Sequence, residues 1–178
     1  GELGGMGLIR NGVEQGKQAM ENIASAKKPK ADGVLDVVII GAGPAGISAT
    51  LEAKKQGLTS ATLEQDSLGG TVYTFPRSKL VMTSPMDLPL HGKVKLYDTS
   101  KDELLQLWRK VISEHKIEIT EHTKVDAIVP QKDGTFKLST NMGKDYICNN
   151  VLLAIGRRGT PRKLGIPGEE STKVAYRL

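Results

Sequence analysis

One cysteine, Cys148, stands in the 178 residues. A lone thiol excludes an internal disulfide and a Cys-x-x-Cys redox pair within the chain, and it fits a reducing compartment. The three histidines, His91, His115 and His122, have no cysteine partners and no metal-ligand spacing, so no metal centre is expected. Aromatic residues make up only 4%, which suits an α/β domain with an aliphatic core. No apolar run is long enough to span a membrane and no secretory leader is visible, so the location expected is cytoplasmic. Excess charge of one sign is small: 25 basic against 20 acidic residues, spread along the chain, argue against nucleic acid as a partner. The chain also lacks an initiator Met and is expected to be part of something longer.

What is there is a glycine turn in a telling context. The β-branched run Asp36-Val-Val-Ile-Ile40 ends in Gly41-Ala42-Gly43-Pro44-Ala45-Gly46, and a helical pattern follows at once. A lone G-x-G-x-x-G is weak, but one that closes a buried strand and opens a helix points to dinucleotide binding. Gly41 permits the tight turn, Gly43 lets backbone approach a pyrophosphate, and Gly46 lets helix pack close to strand. The helix N-terminus adds free N–H groups and a positive dipole end.

Around this turn the expected elements are a strand over Leu35–Ile40, a helix over Pro44–Gln56 capped by Gly57, and a second strand over Ser60–Glu64. Glu64 ends that strand 23 positions after Gly41, where a carboxylate can accept both ribose hydroxyls of an adenosine and repels a 2′-phosphate. The alternative is a solvated surface carboxylate. A second glycine turn, Gly69-Gly70-Thr71, follows, and from Val72 to Thr99 no periodicity persists. Tyr73, Phe75 and Met82 in that stretch could flank a planar ring or simply pack the loop. Ser100 and Glu103 form a capping box for a helix to His115, with Trp108 on its apolar face and therefore in the core. A short strand is expected at Ile117–Ile119. A three-stranded meander follows: Lys124–Val129, Thr135–Thr140 across the Asp133-Gly134 hairpin, and Asp145–Cys148. Val151–Ile155 is a separate apolar strand returning to the central sheet, and the residues from Leu164 to Glu169 read as loop. Arg157 and Arg158 are expected at a solvated surface, Cys148 as a buried structural thiol. His91 is expected in the loop nearest the cofactor. Ahead of all this, Ile9, Val13, Gly16, Met20 and Ile23 mark one face of a helix; Gly12 and Gly16 weaken it and suggest close approach of another backbone or ligand, or else a frayed end. A charged, helix-breaking linker of about 33 Å maximum reach joins it to the first strand.

The order of the Gly41–Gly46 turn, Glu64, Gly69-Gly70-Thr71 and Ala154-Ile155-Gly156 resembles the FAD-binding half of the pyridine nucleotide–disulfide oxidoreductases, with thioredoxin reductase-like members closest. Residues 69–76 look like members related to bacillithiol-disulfide reductase and ferredoxin–NADP reductase. Ile155 stands where that family has Thr, so a side-chain hydroxyl contact is missing there. Ile166-Pro167-Gly168-Glu169 matches the family's continuation. The N-terminal Gly1-Glu2 segment looks like the family's Gly-Asp closing motif and helix, with Glu2 in place of Asp, although in the family this lies at the far C-terminus.

The resemblance implies an α/β fold: a Rossmann-like parallel sheet with a three-stranded antiparallel β-meander insertion. It implies three regions: residues 1–23 as the closing segment, 24–34 as linker, and 35–178 as an FAD-binding domain that stops before the NAD(P)H domain. The closing segment either completes this domain in cis or is the tail of an upstream module. The implied activity is passage of electrons from NAD(P)H through FAD to a disulfide, thiol or protein acceptor, with this portion inactive alone. The implied cofactor contacts are Gly41, Ala42, Gly43, Pro44, Ala45 and Gly46 at the pyrophosphate, Glu64 and Gln65 at the ribose, and Gly69, Gly70 and Thr71 toward the ribityl and ring. Val125 would contact adenine through its backbone, and Ala154, Gly156 and Glu2 would complete the set. The catalytic residue is not assigned. The implied partners are the NAD(P)H-binding domain of the same protein, a redox partner protein and a second copy in a homodimer, with no nucleic acid and no membrane. Two other readings stay open: an NAD-binding module of a simple dehydrogenase, and a non-catalytic scaffold that lost its flavin.

Overall fold

Leu35–Ile40 form β1, and the strand is apolar because both of its faces are covered. Val37 and Ile39 pack toward the helices with Met20, Ala49 and Ala53, while Val38 joins Leu63, Leu138 and Cys148 in a separate cluster. The computed structural model describes residues 8–26, 31–76, 79–156 and 163–174. Glu2, Arg157 and Arg158 lie outside them.

The elements run in this order: α1 (Ile9–Ser25), β1, α2 (Pro44–Lys55), β2 (Ser60–Leu63), a 3-10 turn (Gly70–Thr74), β3 (Leu80–Met82), β4 (Met86–Leu88), β5 (Gly92–Val94), β6 (Asp98–Ser100), α3 (Lys101–Glu114), β7 (Val125–Pro130), β8 (Phe136–Thr140) and β9 (Asp145–Leu153). The main sheet has the order β2-β1-β9-β8-β7. β1 is parallel to β2 and β9, and β8 is antiparallel to β7 and β9. The βαβ unit and the meander are therefore parts of one mixed sheet.

The meander's last strand and the returning strand are not separate, as the sequence suggested. Asp145–Leu153 is a single strand whose first half pairs antiparallel with β8 and whose second half pairs parallel with β1, with Cys148 registered against both Phe136 and Leu35. Asn149 and Asn150 look like a break because amides are poor strand interiors. Here Asn149 is buried and the Asn150 amide donates to the Asp36 carbonyl at 2.9 Å, so the polar pair crosses the sheet without a turn. Asp36 is anchored in turn: its carboxylate accepts the Thr59 N–H and hydroxyl at 2.7 and 2.9 Å.

Ile117–Ile119 is not a strand. Both isoleucines are half-buried against the main core, and only Thr120 makes a single parallel bridge, to Leu63. The stretch from Val72 to Thr99 is more ordered than its lack of periodicity suggested. β3 pairs with β6, and β4 with β5, each only three residues long. Val81, Met86 and Leu88 put it into the core beside Leu104, Trp108 and Val111 of α3. Three-residue strands are too short for alternation to register. α3 starts as expected: the Ser100 hydroxyl accepts the Glu103 N–H, and the Glu103 carboxylate accepts the Ser100 N–H at 2.9 Å. Trp108 and Cys148 are fully buried, and desolvation raises the Cys148 thiol above its ordinary pKa.

α1 packs across α2. A Cβ built on Gly16 would lie 2.1 Å from the Ala45 carbonyl oxygen, so the two helices meet backbone to backbone. The Ser48 hydroxyl donates to the Val13 carbonyl at 2.7 Å across the same seam, and Met20 is fully buried beneath it. A glycine at position 16 sacrifices roughly 1 kcal/mol of helix propensity and permits this contact.

Candidate functional site

A cleft of about 530 Å³ opens at the C-terminal ends of β1 and β9, beside the N-terminus of α2. Its size suits a cofactor, and its position is where parallel α/β sheets bind ligands. The floor comes from Gly41, Gly43, Pro44 and Ala45. One wall carries Glu64, Gln65 and Asp66; another carries Gly70, Thr71, Val72 and Phe75; the third is Leu8, Ile9, Gly12, Gln15 and Gly16 of α1 and the residue before it. Thr123, Lys124 and Val125 enter from the meander, and the segment from Leu152 to Gly156 enters from β9.

The glycines divide the work as their spacing implies. Gly41 has φ +106° and its Cβ position lies 2.5 Å from the Ala154 carbonyl oxygen, so turn and strand touch. A Cβ on Gly46 would lie 1.8 Å from the Gly41 carbonyl oxygen, which fixes the first turn of α2 against β1. Gly43 differs: among the described residues nothing lies within 4 Å of its Cβ position, and it faces the open cleft as N-cap of α2. A pyrophosphate can therefore approach the backbone here, where α2 also presents its positive end. Gly70 closes the opposite side, with its Cβ position 3.2 Å from the Gly43 Cα.

Of the residues singled out in the sequence, Gly41, Gly43, Pro44, Ala45, Glu64, Gln65, Gly70, Thr71, Val125, Ala154 and Gly156 line one cleft. Ala42, Gly46 and Gly69 do not line it. They brace it instead. The Gly69 N–H donates to the Ala42 carbonyl at 2.9 Å, and the Ala42 N–H donates to the Glu64 carboxylate at 2.7 Å. The other Glu64 oxygen accepts the Asp66 N–H at 2.9 Å. Glu64 is 5% exposed, so this carboxylate both faces the cleft and ties the end of β2 to the glycine turn, unlike a solvated surface group. Each oxygen keeps a lone pair for a hydroxyl donor.

Several lining residues escaped sequence reading. α1 is not among them, since a helix closing this domain in cis was one of the two alternatives for the N-terminal segment; it supplies a wall because Gly16 lets it lie directly on α2. Lys124, the one cation among the described lining residues, sits at a meander start where a basic residue is unremarkable, and it pairs with Asp126 at 3.0 Å. Phe75 reaches the cleft, while Tyr73 and Met82 do not; Tyr73 lies 42% exposed under Lys101, and Met82 is 79% exposed. His91 is not near the cleft either. The β4–β5 turn carries it to the C-terminal end of α3.

A parallel sheet core, a G-x-G-x-x-G turn open at its second glycine and a cleft at the strand ends define a dinucleotide-binding domain of Rossmann type. Residues 38–178 match the model of the pyridine nucleotide-disulphide oxidoreductase family, and the chain belongs to that family. It is 31% identical over 144 residues to ferredoxin–NADP reductase 1 of Bacillus cereus, covering 80% of this chain and 38% of the relative. Identity to bacilliredoxin reductase Bdr of Bacillus subtilis is 24%, covering 78% and 44% of the two chains. Among solved structures, bacillithiol disulfide reductase Bdr from Bacillus cereus superposes with a TM-score of 0.68 at 22% identity, over 81% of this chain and 46% of that one, which shows the shared fold. The chain thus spans less than half the length of these relatives.

Proposed function

We propose that this chain is the FAD-holding part of an NAD(P)H-dependent flavoprotein oxidoreductase that delivers electrons to a protein, thiol or disulfide acceptor. The observation that carries the reading is the Gly43 corner: backbone bare of any side chain, at a helix N-terminus, in a cleft of cofactor size. The flavin supplies the hydride and electron chemistry when bound. The chain's own residues bind and orient it. Gly43 and the α2 N-terminus receive the pyrophosphate, the free lone pairs of Glu64 take the ribose, and Gly70 and Thr71 lie along the path toward the ring. Val125, Ala154 and Gly156 flank that path. α1 takes the place of the family's closing helix in cis, which its backbone contact with Ala45 supports. The NAD(P)H-binding domain and the acceptor lie with the rest of the protein.

The test uses the purified chain. A yellow preparation that releases FAD on denaturation supports the proposal; a colourless one that binds NAD supports a simple dehydrogenase module, and one that binds neither supports a scaffold. Gly43→Val sharpens it. Its φ of −76° suits any residue and its Cβ position is open, so the variant folds as the parent does while its side chain occupies the phosphate approach. We expect FAD retention to fall more than about tenfold with an unchanged circular dichroism melt, one lost phosphate contact being worth about 1.5–3 kcal/mol. Undiminished FAD binding by Gly43→Val would remove the glycine turn from the site.

A further inference from the structure

Two histidines and a glutamate from two segments meet at the C-terminal end of α3, outside the cleft. His91 lies on the turn between β4 and β5, Glu114 is the last residue of α3, and His115 is its C-cap. The His91 Nδ1 is 3.4 Å from a Glu114 carboxylate oxygen. The two imidazoles stand edge to face with centroids 5.9 Å apart. One ring nitrogen from each histidine and one Glu114 oxygen all lie within 4.8 Å of one another. The His115 Nε2 is buried with no hydrogen-bond partner among the described residues. A buried ring nitrogen left without a partner is unfavourable, and a native fold rarely leaves one so.

We propose that His91, Glu114 and His115 bind a divalent transition-metal cation of the zinc type, with a fourth position open to water. Two imidazoles and one carboxylate form a donor set that Zn²⁺ accepts. Tetrahedral bonds of about 2.0–2.1 Å place ligand atoms roughly 3.3 Å apart, so the His91–Glu114 pair at 3.4 Å already has the required separation, and the third ligand atom lies within 4.8 Å of both. Lys54 holds the ligand backbone in place: its ammonium donates to the His115 and Lys116 carbonyls at 2.6 and 3.2 Å. Lys110, 3.7 Å from the other Glu114 oxygen and 65% exposed, is free to swing into water when the cation arrives. None of the three ligands lines the cofactor cleft, so the role is to pin the β4–β5 turn to α3. The expectation of no metal centre rested on sequence spacing, and His91 and His115 are brought together only by the fold.

The experiment is a Zn²⁺ titration by calorimetry on the intact chain, free of any polyhistidine tag and stripped with chelator, with Co²⁺ as a spectroscopic probe. One equivalent of Zn²⁺ is expected, with tetrahedral Co²⁺ absorption in the visible. His91→Ala and His115→Gln each reduce the affinity more than about tenfold, since a three-ligand site loses one of its three donors. His122→Ala, elsewhere on the surface, leaves it unchanged. Because His115 closes α3, His91→Ala and Glu114→Gln are read alongside it, with circular dichroism confirming the fold of each. Absence of saturable binding, retention of full affinity in His91→Ala, or equal loss in His122→Ala would each overturn the proposal.

Discussion

Replacing Glu64 by Gln tests whether this carboxylate is a brace as well as a ligand. In the parent, one oxygen accepts the fully buried Ala42 N–H at 2.7 Å and the other accepts the Asp66 N–H at 2.9 Å. Glutamine keeps one acceptor and turns an NH₂ toward the second donor. One backbone N–H is then left unsatisfied, a loss of about 1–3 kcal/mol, and the surviving bond loses its charge assistance, about another 1 kcal/mol. Unfolding of the cofactor-free protein should therefore lose about 3 kcal/mol, or about 6–12 °C in Tm for a chain of this size. The assay is urea and thermal unfolding of apoprotein followed by far-UV circular dichroism, with FAD affinity measured separately on the same preparations. A change below about 0.5 kcal/mol in apoprotein stability, the range of an ordinary surface substitution, would refute the bracing role. A loss of FAD affinity on top of that would then belong to the ribose contact alone.

The α1–α2 seam gives a paired prediction. Gly16→Ala forces a methyl against the Ala45 carbonyl and should lose about 1–3 kcal/mol, whereas Gly12→Ala, with its nearest neighbour at an ordinary 3.7 Å, should be neutral or gain up to about 1 kcal/mol; chemical denaturation of both variants decides. Hydrogen bonds from the Ser100 N–H, the Thr99 hydroxyl and the Ser100 hydroxyl hold Glu103 below its ordinary carboxylate pKa. Its contribution is therefore present above the ordinary value of 4.5 and lost as pH falls through the lowered one, so the Tm values of wild type and Glu103→Ala should differ most near neutrality and converge in acid. Cys148 is fully buried, with a raised pKa. It should resist Ellman's reagent in the folded protein and react fully in guanidinium chloride, and rapid reaction under native conditions would contradict its burial.

Legibility followed the range of the interaction. The turn from Gly41 to Gly46, the capping box at Ser100 and Glu103, and the Asp133-Gly134 hairpin depend on contacts a few residues apart, and each stands where the sequence places it. The burial of Trp108 was legible because helical periodicity marks a face. Asn149 and Asn150 misled because a polar pair breaks an apolar pattern, and only the sheet reveals the Asp36 carbonyl that satisfies Asn150. The short strands from Leu80 to Ser100 are individually too brief to carry a period.

By itself the sequence determined the βαβ unit and the location of the phosphate-facing glycine, because strand, turn and helix N-terminus are contiguous and their geometry is local. Only the tertiary structure decided which glycines line the cleft and which brace it, that α1 supplies a wall, and that His91 leaves the cleft for Glu114 and His115. Those outcomes depend on backbone meeting backbone across long separations, at Gly16 and Ala45 or at Gly41 and Ala154, and no spacing along the chain encodes such a distance.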